Sequence, residues 1–137
     1  MNRPATLLLA AALAVAAPGA PLLAASPASI ELDLQVRCTV VFALVIGMQD
    51  HHSDRSERFP AMRQSGVLFM QSTIGRLEAE RGIAMDKVEG YLMEQVKAIV
   101  PTLATAKDPG AALDAEMATC LPLLDQAAPG WQALSKP

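Results

Sequence analysis

The chain is poor in the features from which function is most often read. Aromatic residues make up only 4% of its 137 residues, too few to build platforms on which nucleobases stack. Eleven basic residues stand against 14 acidic ones, a net charge of −3. The basic excess that grips a phosphate backbone is therefore missing, and no nucleic-acid partner is expected. No glycine-rich phosphate loop is present. Ser53, Ser65 and Ser72 lack the strand-to-helix context of a nucleophile elbow. Nothing in the pattern calls for a cofactor.

What is present in excess is apolar material, 52% of the chain. Part of it lies at the N-terminus. Arg3 supplies a short positive start, every residue from Leu7 to Ala17 is apolar, and Pro18-Gly19 ends that run. Small residues follow as far as Ala25, ahead of Ser26. This is the three-part layout of a secretory signal, and the run is shorter than the roughly 20 residues a membrane span needs. The expected cut falls after Ala25, with Ala28 as the alternative. The expected location is periplasmic or secreted. Residues 1–25 are read as signal peptide and 26–137 as a single helical domain. With Arg3 removed, the mature domain carries ten basic and 14 acidic residues, net −4.

Cys38 and Cys120 are the only cysteines. In an oxidising compartment a pair with one possible connectivity invites a disulfide. A redox pair would want Cys-x-x-Cys spacing, and a metal site would want more ligands close by. Neither pattern is present.

Helical periodicity runs through the rest. Asp33 to Asp50 places Leu34, Cys38, Val41, Val45 and Met48 at helical spacing and is nearly all apolar from Val40 onward. Ile30 to Cys38 also alternates apolar and polar, a strand signature. With no partner strand in the chain, helix is preferred. Arg37 and Asp50 bracket too short a run for a membrane span. Gln49 to Arg58 reads as a polar loop. A second helix is expected from about Phe59 to Arg81, with Phe59, Met62, Gly66, Phe69, Met70, Ile74 and Leu77 on one face. Gly82 is a natural left-handed stop.

A third helix begins near Met85, with Ile83 and Val88 spaced for a hydrophobic staple. Met85, Val88, Tyr91, Leu92, Val96, Ile99 and Leu103 share one arc, and Pro101 should kink or end the helix. Asp108-Pro109 announces a fourth helix. Leu113, Met117, Cys120, Leu121 and Leu124 share its face, and Pro122 interrupts its hydrogen bonding. Pro129-Gly130 starts a loosely ordered tail. The expected fold is all-α: a small four-helix bundle-like domain with one disulfide.

Two groups of side chains could carry function. Asp50, His51, His52 and Asp54 are the one concentration of ligand-type residues, candidates for zinc or copper or for catalysis. Adjacent histidines in a polar loop diverge, which favours a solvated loop. The methionines Met48, Met62, Met70, Met85, Met93 and Met117 fall mostly on apolar faces. Such residues serve as core filling or as adaptable binding surface. Met93 sits off the main arc of its helix.

The stretch Val36-Arg37-Cys38-Thr39-Val40-Val41-Phe42-Ala43-Leu44, with Cys120-Leu121-Pro122-Leu123-Leu124-Asp125, resembles a group of small exported bacterial proteins without an assigned activity. The resemblance implies a helical fold and a disulfide, and transfers no catalytic residue. A looser likeness is to the periplasmic acid-stress chaperones, also small, helical and bridged once. This chain is longer and its cysteine loop wider. The functional expectation is a non-enzymatic exported helical protein that binds another periplasmic protein or an apolar partner. A metal-binding or catalytic protein built on His51 and His52 is the alternative.

Overall fold

A computed structural model describes residues 30–134. The expected signal peptide and both candidate cut positions lie outside the described residues. Within them the fold is all-α, with no strand. Four long helices, α1 (Leu32–Asp50), α2 (Arg63–Arg81), α3 (Met85–Ala104) and α4 (Pro109–Ala127), are followed by the single turn α5 (Trp131–Leu134). A 3-10 turn at Asp54–Ser56 interrupts the loop between α1 and α2.

α1 is the hub, touching α2, α3 and α4. A helix with neighbours on three sides must be apolar nearly all round, which accounts for its composition. The same length and composition would suffice to cross a membrane, but half of its apolar stretch is buried inside the fold. The strand-like alternation at its start has a different origin. Three of its four polar positions are claimed by a neighbouring helix: Asp33 by Arg81, Gln35 by Ser72 and Arg76, Arg37 by Glu116. Gln35 and Thr39 are buried, and Thr39 Oγ1 lies 2.8 Å from Thr73 Oγ1 of α2. Hydrogen bonds across the α1–α2 seam offset the desolvation of these groups.

α2 starts four residues later than Phe59. Pro60 disfavours helical backbone at the residue before it. The Gln49 side chain instead bridges the entry: its Nε2 donates to the Pro60 carbonyl and its Oε1 accepts from the Met62 amide. Further along, α1 and α2 approach closely at Gly66. A Cβ there would lie 2.7 Å from Ile46 Cδ1 and 3.6 Å from Phe42 Cβ. α2 ends at Gly82, whose φ of 63° is left-handed as expected.

α3 runs through the exposed Pro101 and stops one turn later, at Ala104. In α4 the Asp108 carboxylate accepts from the Ala111 amide, capping the helix ahead of Pro109. The helix passes Pro122 and reaches Ala127. The expected tail from Pro129-Gly130 is not what the structure shows. Trp131 is 8% exposed and packs into the main core, and its Nε1 donates to Asp125 Oδ1 at 2.9 Å. A large indole with a partner for its N–H is worth burying, so the chain turns back at Gly130 (φ 80°) to seat it.

Cys38 and Cys120 form a disulfide, with Cα atoms 5.3 Å apart and both residues buried. It ties α1 to α4. Beside it, Arg37 makes a two-pronged bond to Glu116, one turn before Cys120. The hydrogen bonds from Arg37 hold the Glu116 carboxyl below the ordinary carboxylate range. A depressed acid stabilises the fold fully above its unfolded pKa, about 4.3, and loses that contribution as pH falls through the lower folded value. Glu116→Gln should therefore melt earlier than wild type near neutrality. The gap should close on acidification from about pH 5 to about pH 3. A gap in Tm that stays constant over that range would refute this role for the pair.

Candidate functional site

The amphipathic arc of α3 is only partly covered. Val88, Ile99 and Leu103 are buried, whereas Tyr91, Leu92 and Val96 are half-buried and Met85 is 61% exposed. The uncovered part opens into a groove of about 390 Å³ between α3 and the adjoining faces of α1 and α2. Thr39, Val40 and Ala43 of α1 line it, with Met70 and Ile74 of α2 opposite Met85, Val88, Leu92, Met93 and Val96. From Met85 to Val96 the α3 wall extends about 16 Å at the helical rise.

The groove has almost no polar function to offer. Glu89 is its one charged lining residue. The Thr39 hydroxyl is already bonded to the Gln35 carbonyl and to Thr73. A small-molecule site ordinarily combines apolar walls with a few convergent polar groups that orient the ligand. This groove has the walls alone.

Three methionines, Met70, Met85 and Met93, lie along it. Met93 is 48% exposed. It stood off the arc in the sequence because it faces the open side of the groove. Met62 and Met117 instead fill the main core, with Met48 packed against it. The methionine set thus divides between core filling and an open, deformable wall.

The ligand-type loop borders another depression of about 390 Å³, of mixed polar and apolar lining. Asp50 and His52 line it, with Ser53, Ser56, Glu57 and Arg63. His51 and Asp54 do not. Asp50 is held by Arg63 at 2.6 Å, and that bond raises the Arg63 pKa above its ordinary value. The Arg63 guanidinium thus lies against one oxygen of the Asp50 carboxylate, and both side chains are exposed. His52 has a left-handed backbone (φ 51°) and both histidines are exposed. Among the described residues, no three or more His, Cys, Asp or Glu side chains are grouped to hold a metal ion.

Comparison with known proteins supplies no relative. No protein-family model, no curated protein and no solved structure matches this chain.

Proposed function

We propose that this is an exported, non-enzymatic helical domain whose α1–α2–α3 groove takes up an apolar helix from a protein partner. The observation that carries the reading is the uncovered apolar arc of α3. A soluble domain gains by covering such a surface, so one left open and rimmed by methionines fits a partner. A long slot without orienting polar groups suits the side chains of an amphipathic helix laid along it.

Export is supported by the Cys38–Cys120 disulfide, which persists in oxidising compartments, and by the charged-then-apolar start of the sequence. Intact mass of the protein recovered from a periplasmic extract tests it. A chain beginning at Ser26 or Ser29, two hydrogens light and blocked to alkylation until reduced, is the expected result. A full-length chain with free thiols would sink the export reading.

For the groove, an environment-sensitive dye such as anilinonaphthalene sulfonate should brighten with the folded protein at low protein concentration. In a Met85→Glu/Met93→Glu double variant the enhancement should drop several-fold. Both residues are exposed, so circular dichroism should be unchanged. A dye signal that ignores these substitutions would refute the groove as the binding surface.

A further inference from the structure

The end of the bundle where α3 gives way to α4 holds a separate, smaller pocket of about 150 Å³. Leu44 and Met48 of α1, Leu103 of α3 and Leu113 of α4 wall it. Its two charged lining residues are both cations, Arg55 and Arg58, from the loop that joins α1 to α2. Glu89 lines the apolar groove, and Asp50 and Glu57 line the depression at the histidine loop, whereas no acid lines this pocket. The pocket is thus cationic in a chain of net charge −3.

The two arginines stand differently. Arg58 is fixed in place. Its Nε donates to Asp114 Oδ1 at 2.6 Å, its Nη1 to the Arg55 carbonyl at 2.6 Å and its Nη2 to the Gly110 carbonyl at 3.4 Å. Its guanidinium also lies 4.6 Å from the centre of the Phe59 ring. The bond to Asp114 neutralises that carboxylate, and two of the five guanidinium N–H groups are left over. The Arg55 side chain is exposed and has no hydrogen bond, ion pair or ring contact among the described residues. Its whole fork of donors is open to a ligand.

We infer that this pocket binds a small carboxylate with a short apolar tail, the tail in the slot and the carboxylate against Arg55. A planar guanidinium matches a carboxylate through two parallel hydrogen bonds, and the walls offer a tail nothing but apolar contact. Apolar walls with a few polar groups at one side are the composition of a small-ligand site, which the larger groove lacks. The volume falls below the roughly 300–1,000 Å³ that holds a drug-sized ligand, so the tail is short. An alkylamine is repelled by both arginines, and an alcohol gains nothing from their charge. A short-chain fatty acid and the C-terminal leucine of a peptide present the same chemistry. The site is independent of the groove and of what the groove takes up.

Amide chemical shifts of the isotopically labelled, oxidised protein, titrated with hexanoate, test this. Saturable shifts are expected at residues 55–58, 100–104 and 110–113, with hexylamine and hexanol binding there about tenfold more weakly or less. Arg55→Glu should weaken hexanoate by about tenfold or more and leave Tm unchanged, because the side chain holds nothing in the fold. Arg55→Lys keeps the charge without the fork and should recover part of the loss. Ala104→Leu, at an exposed lining position, should narrow the slot and weaken hexanoate and hexanol alike. N-acetyl-alanyl-leucine with a free C-terminus separates the two sources. Tighter binding than hexanoate assigns a peptide end, and weaker binding assigns a free acid. No saturable shift, shifts confined to the groove residues 85–96, equal binding of hexanol, or indifference to Arg55→Glu overturns the inference.

Discussion

Cys38→Ser should lower the stability of the folded domain by about 2–5 kcal/mol. The two cysteines are 82 residues apart, so the bridge closes most of the described fold into one loop. Loop-closure entropy alone gives about 4.5 kcal/mol for a ring of that size. Small domains retain about 5–15 kcal/mol in total, so the variant should stand near the edge of folding. Urea unfolding of the variant, of reduced wild type and of Cys38→Ala/Cys120→Ala should give similarly lowered midpoints. The double variant separates the loss of the bridge from the presence of a hydroxyl or an orphan thiol in the core. Equal midpoints for oxidised and reduced wild type would remove the bridge from the account of stability.

Phe42→Ala should cost about 3–5 kcal/mol, the range for deleting a buried phenylalanine. Phe42 is 1% exposed, and its ring meets that of Phe69 edge to face, with centroids 5.0 Å apart and planes at 84°. This pair lies beside Gly66, where a Cβ would press on Ile46 and Phe42 of α1. With Gly66 already packed against the Ile46 side chain, the two helices have little room to close further into the space a benzyl group leaves. The cost should therefore fall toward the upper end of the range, with Tm reduced by more than about 10 °C. Phe42→Leu keeps most of the volume and should recover more than half of the loss. A Phe42→Ala variant within about 1 kcal/mol of wild type would show that the core cluster around Cys38, Met62 and Met117 does not depend on this ring.

The helices were legible where local chemistry punctuates them. Gly82 and Asp108-Pro109 mark ends that the structure reproduces, because a left-handed stop and a capped proline start are decided within a few residues. The start of α2 was not, because it depends on Gln49, a side chain 11 residues before Pro60 that takes both hydrogen bonds at the turn. Counting apolar positions also hid part of the core. Gln35, Thr39, Ser65 and Thr73 are all buried, and a pattern that scores polarity places them outside. Partners across the α1–α2 seam offset the burial of Gln35, Thr39 and Thr73, while the Ser65 hydroxyl donates to the Met62 carbonyl at the start of its own helix. Trp131 was legible in principle. A lone tryptophan after Pro129-Gly130 is more material than a tail can leave in water.

The candidate site divides in the same way. The arc of α3 could be read from sequence, whereas the gap along it could not. Whether an apolar stripe becomes core or groove is decided by the angle at which α1 and α2 meet it. The histidine loop was conspicuous in sequence because its residues are adjacent. In space Asp50 and His52 share a depression with Arg63, while His51 and Asp54 stand apart.

The span of the disulfide sets an order of assembly. A chain is made from its N-terminus, so Cys38 emerges first and waits, as a reactive thiol on the most apolar helix, until 82 further residues have followed. Its mate lies on the last long helix. Oxidation therefore cannot staple an early fragment. The ring can close only after the residues of α2 and α3 have been made and Cys120 has met Cys38. The bridge thus reports a finished chain: one truncated before residue 120 has no second cysteine with which Cys38 could pair.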